Sequence, residues 1–232
     1  LQMKSYSPSM FDRKSTREYI AADPSTRALS VAAVENSSYD NIASVYDWTY
    51  GPALHAGRLA ALKKLRLRPG DEVLEVGVGT GLNAALYPRF VAVTGIDVAE
   101  EMLEKAEQRL AARDVRNVRL LQMDAAQLDF PDNSFDLVYA PYVINVVPDP
   151  VAVATEMRRV CRSGGCFVIL NHFLSSNRLA AKFERLISPL TVHAGFKSDV
   201  DLPAFLAQAH LQPVSIEKVG VLPIWTLITC TK

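Results

Sequence analysis

The stretch Val73-Leu-Glu-Val-Gly-Val-Gly-Thr-Gly81 decides the fold of this 232-residue chain. Its apolar part, Glu72–Val76, is typical of a buried parallel strand, and the glycines that follow predict a tight turn into a helix. Glycines in such a turn let a ligand approach the backbone closely. The spacing is G-x-G-x-G, with Leu82 next, and it departs from the dinucleotide fingerprint. This spacing favours a ligand without a pyrophosphate, such as an aminoacyl nucleoside.

Strand and helix patterns alternate after this loop. We predict helices over residues 83–89, Glu100–Arg113 and Pro150–Val160, the last closed by Ser163-Gly164-Gly165. Further strands are expected at Phe90–Ile96, Val118–Met123, Phe135–Tyr139, Cys166–Leu170, Val214–Lys218 and Trp225–Thr231, the last two as an antiparallel pair. This α/β alternation implies a seven-stranded, mostly parallel sheet with right-handed crossovers and helices on both faces. Ligands of such sheets bind outside the carboxyl ends of the strands.

Two carboxylates follow predicted strands at that edge. Asp97 lies roughly 20 residues after Gly77, where an acid accepts hydrogen bonds from ribose hydroxyls. Asp124 can accept a hydrogen bond from the exocyclic amine of adenine, although a plain surface turn also explains an aspartate there. Met102 and Met123 can contact the ring, and core packing is the alternative role for both.

These motifs together resemble the class I S-adenosylmethionine-dependent methyltransferases. The resemblance covers residues 72–231 and includes Gly95-Ile-Asp97, Met123-Asp-Ala125 and Phe135-Asp-Leu-Val138 in that order. It implies a Rossmann-like fold, S-adenosylmethionine as the methyl donor, S-adenosylhomocysteine as a product, and no metal. The glycine loop would lie along the methionine part of the donor. The donor contacts that it implies are Tyr46, Glu75, Gly77, Gly79, Gly81, Asp97, Val98, Met102, Asp124 and Ala125.

A narrower resemblance, to the bacterial phosphatidylethanolamine N-methyltransferases, rests on segments outside this core. They are Tyr39–Asp47, Gly51-Pro52, Gly57-Arg58 and Leu190–Asp199. It implies N-methylation of phosphatidylethanolamine and its mono- and dimethyl forms toward phosphatidylcholine. The tyrosine pattern is shared with methyltransferases of quinones and other small molecules. Two alternatives therefore stay open: a soluble methyltransferase for a quinol or another small metabolite, and a methyltransferase-fold protein that binds without catalysis.

Histidines and tyrosines are the candidates for acceptor chemistry. An ammonium acceptor must lose a proton before it attacks, and histidine suits this near neutral pH. His193 is the first candidate for the base and His172 the second, although a structural or exposed ring explains a lone histidine as well. Tyr46 and Tyr142 are further catalytic candidates, since tyrosine can donate a hydrogen bond and attract a cation with its ring. We expect substrate binding by Tyr39, Tyr142, Asn145, Arg178, Lys182 and His193.

Charge and hydropathy indicate the surroundings. The formal net charge is zero, which gives no attraction to nucleic acid, and no apolar run reaches the roughly 18 residues that span a bilayer. Residues 53–68 are basic without an acid, and Arg178, Lys182 and Arg185 share one helical stripe. That stripe suits an anionic membrane surface, and the solvated face of a packed helix explains it equally well.

The domain organisation follows from these patterns. Residues 1–38 are an arm with weak helical segments that would cover the active site or meet a membrane, and residues 39–232 are the methyltransferase domain. Residues 171–211 interrupt that domain as an acceptor-binding insertion. The three cysteines have no zinc or redox spacing. We expect a cytoplasmic monomer, peripherally associated with the inner face of the membrane.

Overall fold

The computed structural model describes residues 51–173, 200–220 and 225–232. One sheet runs through them, formed by β1 (Glu72–Val76), β2 (Ala92–Asp97), β3 (Val118–Gln122), β4 (Phe135–Pro141), β5 (Cys161–His172), β6 (Ser215–Val219) and β7 (Trp225–Thr231). Their order is β3-β2-β1-β4-β5-β7-β6. Strands β1 to β5 are parallel, and β7 runs antiparallel to β5 and β6. The seven-stranded, mostly parallel sheet with a final antiparallel pair is confirmed.

Two of the described helices begin at side-chain capping groups. The described helices are α1 (Gly51–Leu62), α2 (Glu100–Ala112), α3 (Pro150–Val160) and α4 (Leu202–Gln208). Asp149 accepts hydrogen bonds from the first backbone N–H groups of α3, and Asp201 does the same for α4. Each of these two helices has proline in its first turn, where the missing N–H costs nothing.

Alternate residues of the central strands pack on opposite faces of the sheet. Leu74 and Val138 face a core shared with α3 and α4. Val73 and Tyr139 face a second core shared with Ala61 of α1. Since side chains of a strand alternate in direction, one apolar run buries both faces. Helices on both faces of the sheet are therefore confirmed.

The register of the parallel strands brings the predicted ligand residues to one edge. Val76 pairs with Ile96, so Gly77 and Asp97, the residues that follow them, lie level with each other. Asp97 in turn pairs with Gln122 at the end of β3. The three carboxyl ends thus meet beside the glycine loop.

Two predicted boundaries are wrong. Residues 83–89 form only the short 3-10 turn Ala84–Leu86, because Tyr87 is extended before Pro88. Residues 163–165 do not close α3 but belong to β5, whose pairing with β4 shifts register there. A Cβ on Gly165 would lie 2.7 Å from the carbonyl oxygen of Asp136, so the glycine allows close strand approach instead of ending the helix.

Several expectations fall on segments outside the described residues. They are the arm over residues 1–38, the residues 39–50 that follow it and, within the insertion, residues 174–199. Of the candidate site residues, Tyr39, Tyr46, Arg178, Lys182 and His193 lie in such segments. In the described part of the chain, no helix is both long enough and apolar enough to cross a bilayer.

Candidate functional site

The glycine loop packs inward at two glycines and opens outward at the one between them. A Cβ on Gly77 would lie 2.5 Å from Val143 Cγ2, and one on Gly81 would lie 3.0 Å from Ala106 Cβ. Gly79 has φ +53° and no atom within 4 Å of a Cβ position, leaving out its chain neighbours. The backbone at Gly79 is thus a surface that a ligand can lie against, and a side chain would occupy that space.

Asp97 anchors this loop to the end of β2. Its Oδ2 accepts a hydrogen bond from Gly79 N at 2.8 Å, and its Oδ1 accepts one from Ala99 N at 3.1 Å. Burial raises the pKa of the Asp97 carboxyl, although hydrogen bonds from Ala99 and Gly79 lower it. A carboxylate accepts about four hydrogen bonds, so acceptor positions are left for hydroxyl groups of a ligand.

The edge beside Asp97 offers an apolar surface. Val98 is 67% exposed, and Met102 is half-buried in the first turn of α2. Asp124 is exposed, and its Oδ1 accepts a hydrogen bond from Ala126 N at 2.8 Å. Half-buried Ala125 and Met123 pack against the main core, so the alternative role for Met123 is confirmed. The exposed valine suits the face of a flat apolar ring beside a carboxylate.

Glu75 lies beneath the loop instead of on its surface. Its side chain is 1% exposed, and Asn83 Nδ2 donates to its Oε1 at 3.0 Å. Burial raises the pKa of Glu75 to about 7, while hydrogen bonds from Asn83 and Tyr87 and the charge of Arg58 lower it. Glu75 therefore supports the strand end and the loop from below, and its contact with a donor stays a prediction.

We expect the free energy of unfolding of the parent protein to fall as the pH rises from 4.5 to about 7, and that of the Glu75→Gln variant to fall less. The folded protein binds an additional proton in this interval, because the pKa of Glu75 is raised from 4.5, so rising pH favours unfolding. The difference reaches up to roughly 3 kcal/mol, since one pKa unit is about 1.36 kcal/mol. Urea unfolding of both proteins at about pH 5 and pH 8 measures it. Identical pH dependence in the two proteins would contradict the role of Glu75.

Tyr142 follows β4 directly and has an unusual backbone. Its φ is +63°, a conformation that non-glycine residues rarely adopt outside functional sites and turns. Its N–H donates to the carbonyl oxygen of Leu170 at 2.6 Å. Its ring meets the edge of the Trp225 ring with centroids 4.8 Å apart, and Arg58 Cζ lies 5.4 Å from its centroid. Tyr142 is thus fixed at the ligand-bearing edge.

Two other acceptor candidates have different surroundings. Asn145 is fully buried, and its Nδ2 donates to the carbonyl oxygen of His172 at 3.0 Å. It lies beneath the edge and fixes the end of β5, and the substrate contact expected of it stays a prediction. The half-buried His172 ring packs 6.3 Å from Trp225, centroid to centroid.

The basic residues of 53–68 do not share one surface. Arg58 lies over Tyr142 at the carboxyl edge. Arg68 lies in the turn before β1, and its N–H donates to Asp71 at the opposite, amino edge. Lys64 pairs with Glu217 of β6. The basic side chains of this stretch are therefore spread over both edges, because the chain crosses from one edge of the sheet to the other within it.

Sequence patterns did not connect Trp225 with Tyr142 or Arg58. Trp225 begins β7, opposite His172, so it lies at the carboxyl edge although β7 runs against the other strands. The available signal was an aromatic residue at the start of a predicted antiparallel strand, which places it at the ligand-bearing end. For Gly57-Arg58, the sequence signal is the resemblance to the phosphatidylethanolamine N-methyltransferases alone.

The described geometry fits an aminoacyl nucleoside. Gly79 offers open backbone for an extended amino-acid part, Asp97 offers acceptors for ribose hydroxyls, and Val98 offers apolar surface for a base. These residues occur along the edge in the order in which such a ligand would need them. The arrangement supports the donor assignments made for them.

Comparisons with known proteins agree with this geometry. Residues 74–169 match the family model described as a methyltransferase domain. The phosphatidylethanolamine N-methyltransferase of Cereibacter sphaeroides is 41% identical over 172 residues, which are 74% of this chain and 84% of that protein. The demethylmenaquinone methyltransferase of Geobacillus stearothermophilus is 38% identical over 118 residues, which are 49% of this chain and 50% of that protein.

A solved structure extends the comparison to the fold. It is a Thermotoga maritima protein described as an S-adenosylmethionine-dependent methyltransferase and possible histamine N-methyltransferase. The two chains share 20% identity and superimpose with a TM-score of 0.61, which covers 84% of this chain and 98% of the other. At this identity the likeness shows the fold alone.

Proposed function

The chain belongs to the S-adenosylmethionine-dependent methyltransferases, and we propose from this membership that it methylates the amino head group of phosphatidylethanolamine. Successive transfers to the mono- and dimethyl forms would yield phosphatidylcholine. The observation that carries this proposal is the extent of the likeness to the Cereibacter sphaeroides enzyme, which covers 84% of that protein. The likeness to the demethylmenaquinone methyltransferase covers 50% of its length.

The donor supplies an electrophilic methyl group on its sulfonium. The chain's part is to hold donor and acceptor in line, since positioning supplies much of the rate of such a displacement. We assign the ribose to Asp97, the adenine to Val98, Met102, Asp124 and Ala125, and the amino-acid part to the backbone at Gly79.

The acceptor amine must lose a proton at each transfer. We propose His193 as the group that accepts it, directly or through water, because imidazole titrates near neutral pH. Tyr46 would orient the amine beside the donor, and Tyr39 and Tyr142 would contact the substrate. Tyr142 is held at the ligand-bearing edge by its bond to Leu170, which supports its place in this group.

A phospholipid acceptor requires contact with a bilayer. We propose that the protein attaches peripherally to the anionic inner face of the membrane and acts as a monomer. The amphipathic stretch with Arg178 and Lys182 would make that contact, since basic amphipathic segments bind anionic interfaces. Lys64 is not assigned to it, because its side chain is already paired with Glu217.

Methyl transfer from labelled S-adenosylmethionine to an acceptor panel tests the proposal. The panel contains phosphatidylethanolamine in vesicles with phosphatidylglycerol, and demethylmenaquinol in the same vesicles. We expect label in mono-, di- and trimethylated phospholipid. Label in the quinol alone, with donor binding confirmed in the same sample, would replace this function with the second candidate, which the demethylmenaquinone methyltransferase likeness favours.

A further inference from the structure

An arginine and two aromatic rings form a cluster that the donor site does not use. We propose that Arg58 binds the phosphate of the acceptor, with Tyr142 and Trp225 as the wall against which the head group packs. The inference rests on the proposed function, because it takes the acceptor to be a phospholipid. It names the part of the lipid that the chain recognises.

Helix α1 packs directly against the rings of Tyr142 and Trp225. A Cβ on Gly57 would lie 2.6 Å from the Tyr142 hydroxyl oxygen and 2.9 Å from Trp225 Cδ1. Only glycine allows this approach, and it sets the adjacent Arg58 with its guanidinium carbon 5.4 Å from the Tyr142 ring centroid. A guanidinium stacked on a ring is oriented before a ligand arrives, so less freedom is lost on binding.

The cluster lies next to the donor loop. Tyr142 precedes Val143, whose Cγ2 would be 2.5 Å from a Cβ on Gly77. Trp225 begins β7 opposite His172, at the end of β5. A head group held by Arg58 would therefore lie close to the glycine loop.

Charge decides which end of the head group meets Arg58. An ammonium at the Tyr142 ring would be repelled by the guanidinium stacked there. A phosphodiester would instead be attracted to the guanidinium, since arginine binds phosphate through paired, charge-assisted hydrogen bonds. With the phosphate at Arg58, the ethanolamine bridge carries the amine away from the cation and toward the donor.

Arg58 also has an electrostatic neighbour below the loop. Its charge lowers the pKa of Glu75, although this is the smallest of the causes acting on that carboxyl. If the only role of Arg58 were to balance the charge of Glu75, removing its guanidinium would weaken donor binding. If it binds the acceptor phosphate, removal would instead raise the KM for the lipid.

The test compares Arg58→Gln and Arg58→Lys with Lys63→Gln, which removes the same charge from an exposed residue just beyond α1. Initial rates are measured with phosphatidylethanolamine in mixed detergent micelles, and donor affinity by calorimetry. We expect Arg58→Gln to raise the KM for the lipid by about tenfold or more, from loss of charge-assisted hydrogen bonds. Arg58→Lys should fall between, while the donor Kd and the Lys63→Gln variant change less than about twofold.

Three results would overturn the inference. One is an equal rise in KM for Arg58→Gln and Lys63→Gln, which would indicate surface charge in general. The second is a weaker donor Kd with an unchanged lipid KM, which would indicate a counter-charge for Glu75. The third is an unchanged lipid KM and an unchanged donor Kd in both Arg58 variants.

A binding measurement separates this inference from the proposed function. Dihexanoyl phosphatidylcholine carries the phosphate but cannot be methylated further, and its binding is followed by Trp225 fluorescence in a Trp48→Phe background. Binding that weakens about tenfold in Arg58→Gln would support the phosphate site even if phosphatidylethanolamine were not methylated. Methylation of phosphatidylethanolamine with Arg58-independent binding would retain the function and reject the site.

Discussion

The Asp97→Ala variant is expected to bind S-adenosylmethionine about 10 to 100 times more weakly than the parent protein. Two losses combine in this change. The ribose loses a charged acceptor, and Gly79 N loses the Oδ2 partner at 2.8 Å that holds the loop to β2. Hydrogen bonds to charged groups contribute about 1.5–3 kcal/mol each, which is roughly one to two factors of ten. Isothermal titration with S-adenosylmethionine measures the change.

Asp71→Ala is the matched control for this variant. Asp71 Oδ2 accepts a backbone hydrogen bond from Arg68 N at 2.7 Å, so its removal also frees a backbone donor, but at the amino edge of the sheet. Donor affinity should be unchanged in the control. If Asp97→Ala bound the donor as tightly as Asp71→Ala, the donor would not lie at the end of β2.

Gly79→Ala should reduce donor affinity by about 100-fold while the protein stays folded. The added methyl group meets no protein atom within 4 Å apart from its chain neighbours, so packing does not oppose it. It would instead project into the space that we assign to the amino-acid part of the donor. A left-handed conformation costs a non-glycine residue about 1–2 kcal/mol, which most proteins of this size tolerate.

The control for this change is Gly70→Ala. Gly70 also has positive φ, +88°, and an open Cβ position, but it lies before β1 at the amino edge. Thermal unfolding should show similar losses of stability for the two variants, and only Gly79→Ala should lose donor binding. Equal donor affinities in the two variants would remove Gly79 from the donor site.

Local periodicity explains how much of the fold could be predicted. Apolar runs such as that of β1 bury both faces of a sheet, and the glycine loop at their end fixes the place of the ligand edge. Both signals need only neighbouring residues. The prediction for the stretch after α3 is wrong, because the two glycines there could end a helix or permit a close pairing of strands. Only the contact of Gly165 with Asp136 distinguishes these.

The meeting of the proposed donor residues at the carboxyl edge was predictable for the same reason. Asp97 is the last residue of β2, and Gly79 lies shortly after the end of β1. The parallel register of the two strands brings them together. The acceptor half depends on long-range packing. Arg58, Tyr142 and Trp225 meet only because α1 packs against the residue that follows β4 and the residue that begins β7. Sequence likewise gives no sign that Asn145 is fully buried or that its Nδ2 donates to the carbonyl oxygen of His172.

Lipid analysis of a bacterial host that contains phosphatidylethanolamine and no phosphatidylcholine tests the proposed function most directly. The host expresses this chain or its Asp97→Ala variant and receives methyl-labelled methionine. We expect labelled mono- and dimethyl phosphatidylethanolamine and phosphatidylcholine with the parent chain, and far less with the variant. The contradicting result is the absence of label from phospholipid head groups in cells whose expressed protein binds S-adenosylmethionine after purification. That result would exclude a phospholipid acceptor.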